Sequence, residues 1–103
     1  MSRPFSYSDE NFTVMGNVLF VHFKFEKSVN ADEPLIEIPQ KIYDRLLFYS
    51  NTASTCYSTL GWKGGIFKLT VNEHDGKHYF YSDASLSYAA NRYIYSTFML
   101  KDI

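Results

Sequence analysis

The feature that most constrains this chain is a period of two in its longest hydrophobic runs. Val18-Leu19-Phe20-Val21-His22-Phe23-Lys24-Phe25 and Tyr93-Ile94-Tyr95-Ser96-Thr97-Phe98-Met99-Leu100 are the two strongest. In an extended strand, successive side chains point to opposite faces. The first run then places Leu19, Val21, Phe23 and Phe25 on one face, with Val18, Phe20, His22 and Lys24 on the other. The second places Ile94, Ser96, Phe98 and Leu100 on one face, with Tyr93, Tyr95, Thr97 and Met99 on the other. In both runs the second face still carries apolar bulk. A small domain needs only one buried face per strand, so the surplus is expected to meet a ligand or another protein chain.

Turn chemistry divides the rest into short strands. Gly16-Asn17 sits between Phe12–Met15 and the run from Val18, with glycine where a type II′ hairpin turn needs it. Leu35-Ile36-Glu37-Ile38 is a strand stopped by Pro39, which has no amide proton for a ladder. Over residues 40–49, Ile42, Leu46 and Tyr49 have helical spacing and Leu46–Tyr49 also fits a buried strand. The reading adopted is a turn at 40–44 and a strand at 45–49, because a helix would stand alone among strands. Asn51–Ser54 reads as loop, Thr55–Leu60 as strand and Gly61–Gly65 as loop. Ile66–Asn72 alternates, with Phe67, Leu69 and Val71 inward. Asp75-Gly76 is the favoured type I′ pair, returning the chain as Lys77–Tyr81. Residues 26–33 are a polar connection, 82–90 a crossing segment and 1–10 an N-terminal arm. The expectation is one all-β domain over 1–103, its body at 11–100: an antiparallel β-sandwich or jelly-roll-like barrel of about seven to eight short strands.

Charge excludes several partners. Ten Lys and Arg stand against eleven Asp and Glu. The basic residues are scattered, which argues against nucleic acid and a polybasic membrane contact. No apolar stretch reaches the roughly eighteen residues of a membrane span, so no membrane insertion is expected. Met1–Tyr7 lacks the apolar stretch of a signal peptide. Either the chain is made and kept in a cytoplasm, or it is a domain of a longer protein. Asn11-Phe12-Thr13 matches a glycosylation pattern but has no secretory context. Cys56 is the single cysteine, so no intrachain disulfide forms, and its strand-like setting reads as a small buried apolar residue.

The inventory for catalysis is thin. His74 and His78 flank the Asp75-Gly76 turn and, with Glu73 and Asp75, could approach a weak metal site; the preferred reading is a polar turn in water. Gly61-x-x-Gly64-Gly65 lacks the Lys-Ser/Thr of a phosphate loop. No enzyme activity and no cofactor are expected. Binding is better supplied. Exposed rings offer flat apolar faces for the C–H face of a sugar, with polar groups for its hydroxyls. Trp62, Tyr57, His78, Asp83 and Arg92 are the candidate ligand-binding residues. Trp62, in its glycine-flanked loop, has two readings: ligand contact, or a plug over one end of the fold. Phe20, His22, Tyr93, Tyr95 and Met99 are the candidate interface residues between subunits.

The order of these pieces resembles a C-terminal receptor-binding domain of phage and prophage tail-fibre and baseplate proteins of Gram-positive bacteria. The resemblance rests on Gly16-Asn17-Val18-Leu19-Phe20-Val21, the proline-ended Leu35-Ile36-Glu37-Ile38-Pro39, and the Phe67–Val71 and Asp75–Phe80 hairpin. The closing aromatic strand Tyr93–Leu100 completes it. Where such domains often continue Gly-Tyr-Arg-Pro after the proline, this chain has Gln40-Lys41-Ile42-Tyr43-Asp44-Arg45. The resemblance implies a homotrimeric tip in a virion tail, assembled in the host cytoplasm beside other tail or baseplate proteins. It would recognise a host surface, commonly a cell-wall saccharide. Burying one extra aromatic at a subunit contact stabilises by about 1.5–3 kcal/mol, and several virion copies would strengthen weak sugar binding. Two alternatives stand beside it. One is a free-standing carbohydrate-binding or adhesin-like sandwich. The other is a small metal-dependent jelly-roll enzyme using His22, His74 and His78.

Overall fold

A computed structural model describes residues 6–24, 28–31, 33–57, 63–86 and 92–101; at 56, 57, 63–65 and 92 it describes the backbone alone. Its elements run β1 (Tyr7–Ser8), β2 (Phe12–Met15), β3 (Val18–Lys24), β4 (Pro34–Glu37), α1 (Gln40–Tyr43), β5 (Ser50–Tyr57), β6 (Lys63–His74), β7 (Lys77–Ser82) and β8 (Arg92–Met99). The eight strands form one antiparallel sheet in the order β1-β2-β3-β8-β5-β6-β7-β4. The fold is all-β, and the sheet curls upon itself.

Ring contacts measure the curl. Phe12 on β2 and Phe80 on β7 lie five places apart in the strand order. A flat sheet with strands about 4.8 Å apart would hold them roughly 24 Å apart. Their ring centroids are 6.3 Å apart. Phe98 on β8 stands 4.9 Å from Phe80 between them. Around these rings the alternation of β3 and β8 supplies Leu19, Val21, Phe23, Ile94 and Phe98, all buried. Phe67 and Leu69 of β6 join them, and Val71 packs partly buried against the same core.

Two turns set the register that keeps those residues inward. Gly16 has φ +62° and links β2 to β3 so that Met15 pairs with Val18. Positive φ at the first central position alone fits the type II′ turn. Asp75 (φ +54°) and Gly76 (φ +80°) are both left-handed, as a type I′ turn requires, and His74 pairs with Lys77.

Several elements differ from the sequence reading. Gln40–Tyr43 is a single helical turn, and Leu46 makes only an isolated bridge to Leu100. The expected strand at 45–49 is absent because this segment closes one end of the curled sheet. Ile42 and Leu46 fill that end, both fully buried, while the Leu47 amide donates to the Met99 carbonyl (3.0 Å) and the Lys101 amide to the Arg45 carbonyl (2.7 Å). Asn51–Ser54, read as loop, is part of β5, a central strand between β8 and β6. Gly64 and Gly65, also read as loop, belong to β6. Val29 and Leu86 come from two segments read as connections. They pair through amide–carbonyl bonds of 2.9 Å each way, and both side chains join the core. Tyr7–Ser8, within the expected arm, adds β1 to the sheet, and the Asp9 carboxylate accepts from the Asn11 and Phe12 amides (2.8 Å each) just before β2. The outermost strands are β1, two residues long, and β4, which carries Pro34 and an irregular register between Pro34 and Ile36.

Candidate functional site

The outer face of the sheet follows from the same alternation. With Leu19, Val21 and Phe23 inward, β3 turns Phe20 and His22 outward; β8 turns out Tyr95, Thr97 and Met99, with Tyr93 half-buried. Register brings them together, because His22 pairs with Tyr95, Phe20 with Thr97 and Val18 with Met99. The imidazole of His22 lies 4.8 Å from the Tyr95 ring and 5.2 Å from the Tyr93 ring, close to parallel with both. Tyr93 and Tyr95 are 6.3 Å apart. The three centroids therefore make a triangle rather than a column, and this aromatic cluster is a ridge across β3 and β8.

A hollow lies on each side of the ridge. On one side a depression of about 560 Å³ is lined by Phe20, His22 and Tyr95, by Thr52 and Ser54 of β5, by Thr97, and by Ile66 of β6. Its surface is mainly apolar, with hydroxyls between. On the other side a hollow of about 420 Å³ is lined by Glu10, Asn11, His22, Lys24 and Tyr93, with Leu35 and Ile36 approaching from β4. Its surface is mainly polar. The Asn11 carbonyl accepts from the His22 amide (2.9 Å), which fixes the residues before β2 beside the ridge.

The five residues expected to bind a ligand do not form one site. Tyr57 and Arg92 pair through their backbones, next to the Cys56–Tyr93 pair, so both lie at the strand ends that border the polar hollow. Their side chains and that of Cys56 lie outside the described residues, and so does Trp62. Asp83 ties the chain after β7 to β6. Its carboxylate accepts from the Lys68 amide (2.9 Å), and its own amide donates to the Lys68 carbonyl (3.0 Å). His78 sits at the opposite end of the barrel from Tyr57 and Arg92. There it pairs with Glu73 and its ring stacks on Tyr43 of α1 at 3.6 Å, tilted by only 10°.

That end holds a second aromatic group. Tyr49 packs on Tyr43 at 5.8 Å, and the Nδ1 of His78 is buried with no hydrogen-bond partner. The Tyr43 hydroxyl titrates above its ordinary value, chiefly because it is desolvated; Tyr49, then Glu73 and Asp44, add to the shift. Tyr7, at the start of the sheet, is also raised, first by its hydrogen bond to Asp9 (2.9 Å) and then by desolvation.

The Glu73–Lys77 turn is exposed, and His74 and His78 leave it on opposite faces. His74 pairs with Lys77 and His78 with Glu73, and successive pairs of an antiparallel ladder point to opposite faces. His74 instead meets Asp75 (3.3 Å) at the exposed turn and Tyr79 edge-on. Among the described residues no three His, Cys, Asp or Glu side chains gather to hold a metal ion. No helix among them is long and apolar enough to cross a membrane.

The residues of the polar hollow outside β3 and β8 were not singled out from the sequence. Glu10 and Asn11 lie in a polar stretch, and Leu35 and Ile36 reach the hollow only because the sheet curls. No family model, curated protein or solved structure matches this chain.

Proposed function

We propose that this chain is a non-enzymatic recognition module of the phage-tail tip type. Its ligand, in this reading, is a saccharide of a bacterial cell surface held in the polar hollow beside Tyr93. The observation that carries the reading is the pairing of an aromatic ridge with a polar hollow at one end of the sheet. Sugars need both: an apolar ring face to stack against, and donors and acceptors for hydroxyls. Tyr93 offers the ring. Glu10 offers an acceptor, Lys24 a donor, and the Asn11 side chain both. At about 420 Å³, the hollow falls in the roughly 300–1,000 Å³ range of small-ligand sites. The tail-tip context rests on the sequence resemblance.

The test is a binding screen against purified Gram-positive cell-wall saccharides, followed by Tyr93→Ala and Lys24→Ala. Binding that falls by about tenfold or more in both variants, with unchanged thermal stability, supports the site. Indifference of both variants would move the ligand elsewhere. A wild-type chain that binds no cell-wall saccharide overturns the reading.

A further inference from the structure

We propose that the polar hollow selects a zwitterionic sugar, one that carries a free amine together with an anionic group, phosphate or carboxylate. The inference rests on the saccharide reading of that hollow and adds the charges its ligand must carry. Glu10 and Lys24 both line the hollow. Among the described residues neither side chain has an ion-pair or hydrogen-bond partner, and they do not pair with each other. Other acids of the chain are engaged. Asp9 accepts from the Asn11 and Phe12 amides, Glu33 from the Asn30 amide and Asp83 from the Lys68 amide, while Glu37 meets Lys77. The hollow therefore gathers one carboxylate and one ammonium whose charges the chain leaves unanswered.

Backbone bonds fix where each charge is attached. The Asp9 amide donates to the Phe12 carbonyl (2.9 Å), and the Asp9 carboxylate accepts from the Asn11 and Phe12 amides (2.8 Å each). Glu10 and Asn11 are the central residues of that pinned turn. The Asn11 carbonyl in turn holds the His22 amide on β3. Lys24 follows on the same face, two residues and about 7 Å along the strand, paired with Tyr93. Both attachment points are thus set before any ligand arrives, which lowers the ordering cost of binding.

Charge decides which sugar gains. A neutral sugar displaces water from a carboxylate and an ammonium without bringing an opposite charge to either. A sugar with one charge meets attraction from one side chain and repulsion from the other. A sugar with both charges, its amine toward Glu10 and its anion toward Lys24, meets two attractions, and each can become a charge-assisted hydrogen bond. Tyr93 serves the same ligand. Its ring takes the C–H face of the sugar, and a ring face also attracts an ammonium group. Leu35 and Ile36, half-buried in the wall of the hollow, lower the local polarity and strengthen both charged contacts.

The test is an NMR titration of the whole chain with a matched set of sugars, at a pH where amine and anion are both ionised. Glucosamine 6-phosphate carries both charges, glucosamine the cation alone, N-acetylglucosamine 6-phosphate the anion alone and N-acetylglucosamine neither. Muramic acid carries a carboxylate in place of the phosphate. At least one of the two zwitterions should bind about tenfold or more tighter than N-acetylglucosamine. The singly charged sugars should stay within about threefold of it. In Glu10→Gln the anion-only sugar should rise to match the zwitterion, and in Lys24→Gln the cation-only sugar should do so. A general loss of structure would not produce that exchange of preference. Glu73→Gln, at the far end of the barrel beside His78, should change nothing. Zwitterions no tighter than N-acetylglucosamine overturn the proposal, as does a zwitterion preference that survives both variants. If cell-wall saccharides still bind through Tyr93 in that event, the saccharide reading stands without this inference. If neither these sugars nor cell-wall saccharides bind, that reading fails and this inference falls with it.

Discussion

The two faces of the β3–β8 pair share one backbone ladder and have opposite fates. Inside, Leu19 faces Phe98 and Phe23 faces Ile94, each sealed from water. Outside, one residue along, Phe20 faces Thr97 and His22 faces Tyr95, and large rings remain in contact with solvent. Folding alone accounts for the inner face. The outer rings contribute less to it, since Phe20 and Tyr95 each keep more than a third of their surface wet. They are better understood as material for a contact beyond the single chain.

The largest expected effect that tests this contrast is Phe98→Ala. It should destabilise by about 3–5 kcal/mol, because it opens a cavity next to Phe80. Phe20→Ala should cost clearly less, about 1–2 kcal/mol in the monomer, because its ring is only partly covered. Urea denaturation of both variants reads the difference, and equal losses would erase the distinction between the faces. Next comes Gly76→Ala. It should cost about 1–2 kcal/mol, the penalty for an L side chain in left-handed backbone, because Gly76 holds φ +80°. The same melts measure it. A smaller loss would mean that the ladder, rather than the turn, keeps the inner residues inward.

The smallest effect concerns the closed end. Tyr43 has a folded-state value above its ordinary value of 10.0. Its contribution is complete below pH 10 and fades as pH rises through the folded value, since the unfolded chain loses the proton first. Stability should therefore fall on alkaline titration above pH 10. Tyr43→Phe should make that slope shallower, as measured by denaturant melts at stepped pH. An unchanged slope would assign the alkaline response to other tyrosines.

The sequence was most legible where geometry is local. The alternation in Val18–Lys24 and Tyr93–Leu100 marks which side chains lie inward, because a period of two leaves no choice once one face is buried. Gly16-Asn17 and Asp75-Gly76 name their turns by the positive φ they need. The failures share a different cause. Asn51–Ser54 is mostly polar and small, yet β5 runs through the middle of the sheet; its inner positions, Ala53 and Thr55, are small where Phe67, Phe80 and Phe98 already occupy the core. Neighbouring strands on both sides impose the extended form there, and propensity does not. The turn of helix at Gln40–Tyr43 exists because an open end needs Ile42 and Leu46 to close it, which is a tertiary demand. The ridge at His22, Tyr93 and Tyr95 was visible as three outward rings. The polar hollow beside it was not, because Leu35 and Ile36 of β4 come from the far margin of the sheet.

The outermost strands limit how copies of this chain can add to one another. Among the described residues β1 offers only two for pairing, and β4 presents a proline and a broken register. Neither can template a growing row of strands, so polymerisation into filaments is blocked along the hydrogen-bonding direction. Copies crowded side by side then lack an edge through which to fuse by strand addition.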